Sequence, residues 1–351
     1  MPRKKKRSHA RKATLRAGAV AGVVLLGIAA FAALRYLTDN RLPNVRAEKH
    51  LCVYPDTPAG AVLDSLSACV RHPGSLRRMF RSKEVARYLQ PGHYLLRPGQ
   101  TSVYVARMLN NGWQTPVRLT ISGTLRLKGD IARKISAQMM LDSASVHHAL
   151  EDAQLLGKFG YTPRSVFSLL MPDTYELYWT DSMEQVFATQ KKAQEAFWTA
   201  ERVALARAQG LTPAEVSVLA SIVKGESNYE PEFPKIAGVY LNRLHKGMKL
   251  QADPTVAFCH GYTLNRIYKA HLKVDSPYNT YKYAGLPPGP ICVPTRACLE
   301  SVLHPDGGGG NLYFCADPSF NGSHRFARTY AEHMKNARSF QRALNQRNAA
   351  K

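Results

Sequence analysis

The pattern of hydrophobic and polar positions changes character along the chain. A continuous apolar run comes first, Ala17 to Leu34 (AGAVAGVVLLGIAAFAAL), 18 residues without a charge. As a helix it would reach about 27 Å, close to the hydrocarbon thickness of a bilayer. Residues 38–50 turn polar and charged and read as a short tether. From Leu51 onward short periodic segments alternate with turn residues, the pattern of a globular protein. Ala59, Val62, Leu63 and Leu66 recur at helical spacing within Thr57–Val70, with Asp56 or Thr57 as cap and Arg71-His72-Pro73-Gly74 as stop. Ser82–Leu89 predicts a second short helix, Gly92–Gly99 a strand and turn, and Ser102–Leu109 a further helix.

The second half is longer and more helical. Pro116–Ile121 alternates as a strand, Lys128–Met140 reads as a helix, and Met183–Gln209 reads as one long scaffold helix. Thr212, Pro213 and Glu215 form a helix-start signal, with a cap, a proline at the first position and a capping box. Pro234–Leu244 predicts the next helix, ended by Gly247. The run Leu250 to Thr255 reads as a strand end that caps another helix, with Asp253 as N-cap and Pro254 first in the helix. Asp275–Pro290 holds four prolines and two glycines and cannot be a regular element. Beyond it come a helix at Thr295–Leu303, strands at Asn311–Asp317 and His324–Phe326, and a basic terminal helix at Thr329–Asn345. Together these elements give an α+β fold behind a single N-terminal apolar helix.

Candidate chemistry gathers around the helix that starts at Thr212. Val216, Leu219, Ile222 and Val223 share one face, and Glu226 falls on that face at the helix end. A carboxyl carried to the end of an apolar stripe is disfavoured as an anion, which raises its pKa toward the range of a general acid. An acidic residue fraying into solvent has the same spacing. Gln251 has no local structural role of the kind that Asp253 has as a cap, which makes it a candidate ligand donor. In the irregular 275–290 loop, Asn279 offers an amide donor and acceptor suited to sugar hydroxyl and N-acetyl groups, and Tyr281 a ring and a hydroxyl. Arg243 is by default a solvated residue. His324 reads either as a structural strand histidine or as a substrate contact.

Charge refines this picture. The formal net charge is +23 over 351 residues, and residues 1–16 hold eight Lys/Arg and no acid. Placed just before an apolar span, that basic run sets the cytoplasmic side and makes a nucleic-acid role unnecessary. Everything after Arg35 then lies outside the cytoplasm; a cleaved signal peptide is the alternative. The six cysteines show no CxxC pair and no histidine cluster, so neither metal nor cofactor is expected. Cys52 with Cys69, and Cys292 with Cys298 or Cys315, are open disulfide pairings in an oxidising compartment.

Several blocks occur together in the second half: LASIVKGE, VYLNRL, GMKLQADPTV, SPYNTY and GLPPGPI. In that order and spacing they resemble the MltG/YceG family of membrane-bound endolytic murein transglycosylases. The resemblance is strongest from Leu219 to Ile291 and extends more weakly from about Pro91 to the terminal helix, with LLMPDTYELYW and Gly322-x-His324-x-Phe326 as further traces. It departs at Ser122-Gly123-Thr124, where family members often carry a proline-glutamate-glycine turn, and at Lys224, where some relatives carry an acid. The resemblance implies a basic cytoplasmic tail at 1–16, a transmembrane anchor at 17–37 and a tether at 38–50. A small LysM-like α+β subdomain would follow at 51–115, and a larger mixed α/β catalytic domain of the YceG-like type at 116–351. It implies peptidoglycan glycan strands as substrate, the inner membrane as location, cell-wall synthases as candidate partners and a lytic transglycosylase reaction. Glu226 would be the catalytic acid, with Gln251, Asp253, Asn279 and Tyr281 holding sugars. A hydrolytic muramidase using the same Glu226 with Glu230 or Asp253 as second carboxylate, and a noncatalytic wall-binding scaffold, remain as alternatives.

Overall fold

A computed structural model describes residues 3–349; of the basic tail, the side chains of residues 1–15 lie outside that description. The chain divides into two compact units, Met1–Val117 with Tyr178–Thr180, and Arg118–Leu177 with Asp181–Lys351.

The first unit opens with helix α1, Arg3–Asn40, whose stretch Arg16–Asn40 is long and apolar enough to cross a membrane. Its apolar side chains, Val23, Leu26 and Phe31 among them, are exposed. Behind it come β1 (Lys49–Val53), α2 (Ala59–Ser67), α3 (Pro73–Ser82), α4 (Val85–Tyr88), β2 (Gly92–Leu96) and α5 (Ser102–Asn110). β1 and β2 pair antiparallel, with Leu51 opposite Tyr94, and the apolar faces of the helices close over them around Leu66, Leu76, Tyr94 and Leu109.

Residues 38–50 are no tether. Helix α1 runs on to Asn40, where Asp39 forms a two-bonded ion pair with Arg78 (2.9 and 2.6 Å) and is itself buried. Asn44 is buried, donating to the Ser102 hydroxyl and the His72 carbonyl, and Val45 belongs to the core. The polar residues that suggested a linker are polar because they stitch α1 to α3 and α5. Helix α3 is a second departure: Pro73 stands at its first position, where a missing N–H costs nothing, so the expected breaker is a starter. The cap of α2 is Pro58, while the Thr57 hydroxyl accepts from the Tyr54 N–H and closes the preceding turn.

The second unit contains β3 (Val117–Ile121), α6 (Lys128–Ser136), α7 (Ser143–Ala149), α8 (Ala153–Gly157), α9 (Val166–Leu169) and β4 (Asp173–Leu177), with β3 and β4 hydrogen-bonded. The single long helix expected from Met183 is two, α10 (Met183–Phe197) and α11 (Ala200–Ala208). Thr199 separates them: its side chain accepts from the Arg202 N–H and caps a new helix start. Next come α12 (Pro213–Glu226), α13 (Phe233–His245), α14 (Asp253–Cys259), α15 (Arg296–Leu303), the antiparallel pair β5 (Tyr313–Ala316) and β6 (His324–Ala327), and α16 (Tyr330–Ala349).

Helix α12 is the centre of this unit. The expected capping box is present, with Thr212 accepting from the Glu215 N–H and the Glu215 carboxylate accepting from the Thr212 N–H at 2.8 Å. From Val216 to Val223 every residue is buried, so the helix is enclosed on all sides rather than on one face. Each fully buried Val, Leu or Ile of such a segment contributes about 1.5–3 kcal/mol. The serines within it are satisfied locally: Ser217 donates to the Pro213 carbonyl and Ser221 to that of Val218. Ser221 also accepts from the Ile291 N–H at 3.0 Å, which ties the end of the irregular loop to the central helix. All six cysteines are free thiols.

Candidate active site

Glu226 is the last residue of α12. Protein encloses its carboxyl on most sides, while the residue borders a cleft of about 610 Å³ shared with Arg126, Lys224, Asn228, Asn321 and His324. Burial pushes the carboxyl up to about 7. The hydrogen bond donated by the buried Tyr240 hydroxyl of α13 opposes that rise, the charge of Asp253 adds to it, and Arg243 opposes it. Tyr240 itself is held well above its ordinary range by burial and by the neighbouring carboxylate, so it remains a donor. The result is a carboxyl that carries its proton near neutrality and can give it up.

The approach of α14 depends on a glycine. A Cβ at Gly225 would lie 2.5 Å from Pro254 Cβ and 2.9 Å from its Cγ. With no side chain there, Pro254 packs directly on the helix end, and Asp253 is brought into electrostatic reach of Glu226. Asp253 is the first residue of α14 and not its cap; Ala252 holds the cap position, with no side-chain bond. The Asp253 carboxylate instead accepts from the Tyr281 hydroxyl at 2.6 Å. Residues 250–252 are not a strand end but an irregular stretch ahead of α14, and this stretch and the helix start are stitched to the 275–290 loop. The Gln251 N–H donates to the Thr280 carbonyl, the Ala252 N–H to the Thr280 hydroxyl, and Thr255 and Thr280 share a hydroxyl contact at 2.9 Å.

Gln251 adopts φ 51°, a left-handed conformation uncommon for a residue with a side chain, and is exposed. Such strain costs on the order of 1–3 kcal/mol and clusters at functional sites. Asn279 turns the other way. It is fully buried, its amide donates to the Leu272 and Val274 carbonyls at 2.9 and 2.8 Å, and its oxygen accepts from the Tyr281 N–H. Its hydrogen-bonding capacity is spent inside the loop, so the expectation that it contacts sugar gives way to a role in holding Tyr281. Arg243 is likewise no solvated residue: it is buried and donates to the Leu312 and Leu250 carbonyls. Glu232 pairs with His324, leaving Asp253 as the acid whose charge acts on Glu226.

A profile of the YceG-like family matches residues 51–339. The chain belongs to the YceG-like family. Relatives within it include the endolytic murein transglycosylase of Bacillus subtilis, 44% identical over 117 residues that make up 33% of this chain and 32% of that one. The endolytic murein transglycosylase of Streptococcus pneumoniae is 25% identical over 359 aligned positions, 90% of this chain and 63% of its own. The chain thus spans less than two thirds of the length of either curated relative. The crystal structure of a yceG-like protein from Listeria monocytogenes superposes with a TM-score of 0.53 at 26% identity, covering 83% of this chain and 99% of that one.

In this YceG-like chain the site also uses residues that sequence reasoning passed over. Tyr240 lies among the buried residues Ala237, Val239 and Leu241 of α13, where a tyrosine needs a partner for its hydroxyl, and here the partner is Glu226. Arg126 follows the variant Ser122-Gly123-Thr124 turn and borders the cleft. Lys224, which would lower the Glu226 carboxyl if it faced it, donates instead to the Asn228 side chain at 3.0 Å.

Proposed function

We propose that this protein is a membrane-anchored endolytic murein transglycosylase acting on peptidoglycan glycan strands. The observation that carries the reading is Glu226: one enclosed carboxyl, protonated near neutrality, at the edge of a cleft large enough for sugar residues. In this reaction Glu226 donates its proton to the oxygen of the β-1,4 bond between MurNAc and GlcNAc, and the C1–O bond breaks. The carboxylate left behind takes the proton of the MurNAc 6-hydroxyl as that oxygen bonds to C1, giving a 1,6-anhydro end. One carboxyl serves both steps, since the acid becomes the base it needs, and intramolecular attack supplies the advantage of proximity. The relatives named for this activity support the reading.

The basic run at the start of α1, ahead of its apolar stretch, supports an N-terminus in the cytoplasm and the remainder beyond the inner membrane. Antiparallel strands with helices between them support a LysM-like, glycan-holding role for the first unit. Cleavage of nascent strands beside cell-wall synthases would set glycan length. Asp253 supports a second reading, a hydrolytic muramidase, because its charge acts on Glu226 as a partner carboxylate would. Mass spectrometry of uncrosslinked glycan incubated with the full-length protein in detergent decides the matter. Anhydro ends, absent with Glu226→Gln, are expected; reducing ends would make it a hydrolase, and binding without cleavage a scaffold.

A further inference from the structure

Glu232 and His324 meet at the rim of the Glu226 cleft. Glu232 closes the short turn Glu230–Glu232 ahead of α13, and His324 begins β6. Both oxygens of the carboxylate are engaged by one residue: Oε1 accepts the His324 backbone N–H at 2.9 Å, and Oε2 meets Nδ1 at 2.8 Å. The two side chains are only 12% and 14% exposed. Phe314 packs edge-on against the imidazole, centroids 5.4 Å apart, so the ring is held in place as well as in orientation. A carboxylate only accepts, so the proton shared with it stands on Nδ1. In the neutral ring the other nitrogen, Nε2, is then a lone pair, and no protein group among the described residues engages it. Here the ring borders the cavity that Glu226, Asn321 and Ser323 also line.

We propose that His324, oriented by Glu232, is a substrate-binding residue whose Nε2 accepts a hydrogen bond from a sugar hydroxyl in the Glu226 cleft. The proposal rests on the glycan-cleaving reading and adds a specificity contact to it. The fixed tautomer gives it selectivity. An acceptor held at one point favours a hydroxyl donor and rejects a substrate that presents a carbonyl there.

The test uses the full-length protein in detergent carrying Glu226→Gln, which binds without cleaving, and uncrosslinked glycan oligomers as probe. His324→Ala in that background is expected to weaken binding about tenfold, the scale of one lost hydrogen bond together with its unpaired partner. His324→Gln, whose amide oxygen restores an acceptor, is expected to recover most of that affinity. Glu232→Gln, which unsettles the ring without touching sugar, is expected to fall between them. In the active protein His324→Ala is expected to raise KM more than it lowers kcat. Unchanged binding in His324→Ala overturns the proposal and leaves the transglycosylase reading intact. Equal losses in the alanine and glutamine variants, tracking a lowered Tm, overturn it in favour of a structural pair. A Glu226→Gln protein that binds no glycan at all overturns both readings.

Discussion

Tyr240→Phe tests the proton economy of the site most directly. The tyrosine hydroxyl donates to the Glu226 carboxylate from within a buried helix, and that bond holds the carboxyl below where burial alone would put it. A hydrogen bond to a charged acceptor contributes about 1.5–3 kcal/mol, and about 1.4 kcal/mol corresponds to one pH unit. Removing the hydroxyl therefore lifts the Glu226 carboxyl from about 7 by roughly 1–2 pH units. The group must be protonated to act as acid, so kcat/KM declines as pH rises through its pKa. In Tyr240→Phe that decline moves to higher pH by the same interval, while the plateau falls because a weaker acid donates less readily. Tyr240 is held far above its ordinary range and does not titrate across this window, so it does not blur the profile. The assay is the initial rate of anhydro-end formation from uncrosslinked glycan between about pH 5 and 10, with both proteins in the same detergent. A profile that stays in place, or moves to lower pH, refutes the assignment of Glu226 as the acid tuned by Tyr240.

Asp253→Asn carries the opposite sign: removing a charge that raises the Glu226 carboxyl moves the alkaline decline to lower pH, by less than about one pH unit at this exposed position, measured in the same assay. Glu226→Gln stabilises the fold at high pH. The folded carboxyl keeps its proton between 4.5 and about 7 while the unfolded chain loses it, so stability falls across that window and the whole cost stands above it. The variant recovers on the order of 1–3 kcal/mol at pH 8 and nothing below about pH 4.5, read as Tm against pH. Gly225→Ala forces a Cβ to within 2.5 Å of Pro254, costing about 1–3 kcal/mol by overpacking and displacing Asp253. Chemical denaturation reports the first effect, and a downward move of the alkaline limb the second.

Much of this arrangement was legible in the chain because the local chemistry and the global fold agree. The Thr212–Glu215 box, the apolar run behind it and the terminal position of Glu226 follow from short-range rules, and the structure keeps all of them. What escaped were contacts between distant segments. Asn279 offers donors and an acceptor to any reader, but only the fold shows that Leu272, Val274 and Tyr281 consume them. Arg243 is polar in sequence and buried in space, because two carbonyls from separate stretches, Leu250 and Leu312, converge on it. Residues 38–50 misled for the same reason, since Asp39 and Asn44 are polar to satisfy partners in α3 and α5. Gly225 left no readable trace, because a glycine before a helix end is common and its reason, Pro254, lies across an unpredicted contact.

The position of Glu226 explains why one carboxyl is set apart from the rest. Asp142, Asp152 and Glu332 stand at helix starts and move below their ordinary range, because backbone N–H groups donate to them. Glu226 stands at the opposite pole. It ends its helix, where unsatisfied carbonyls present partial negative charge and disfavour an anion. Lys224, two residues back on the same helix, is turned aside to Asn228. The charge that acts on it most strongly is another acid, admitted because residue 225 has no side chain to keep α14 away. Burial, helix polarity and Asp253 therefore act in one direction, and the Tyr240 hydroxyl, with the charge of Arg243, supplies the counterweight. Under the proposed reaction, a carboxyl balanced in this way is protonated when glycan arrives and is still held as an anion after it has donated. Those are the two states that a single-residue acid and base must occupy in turn.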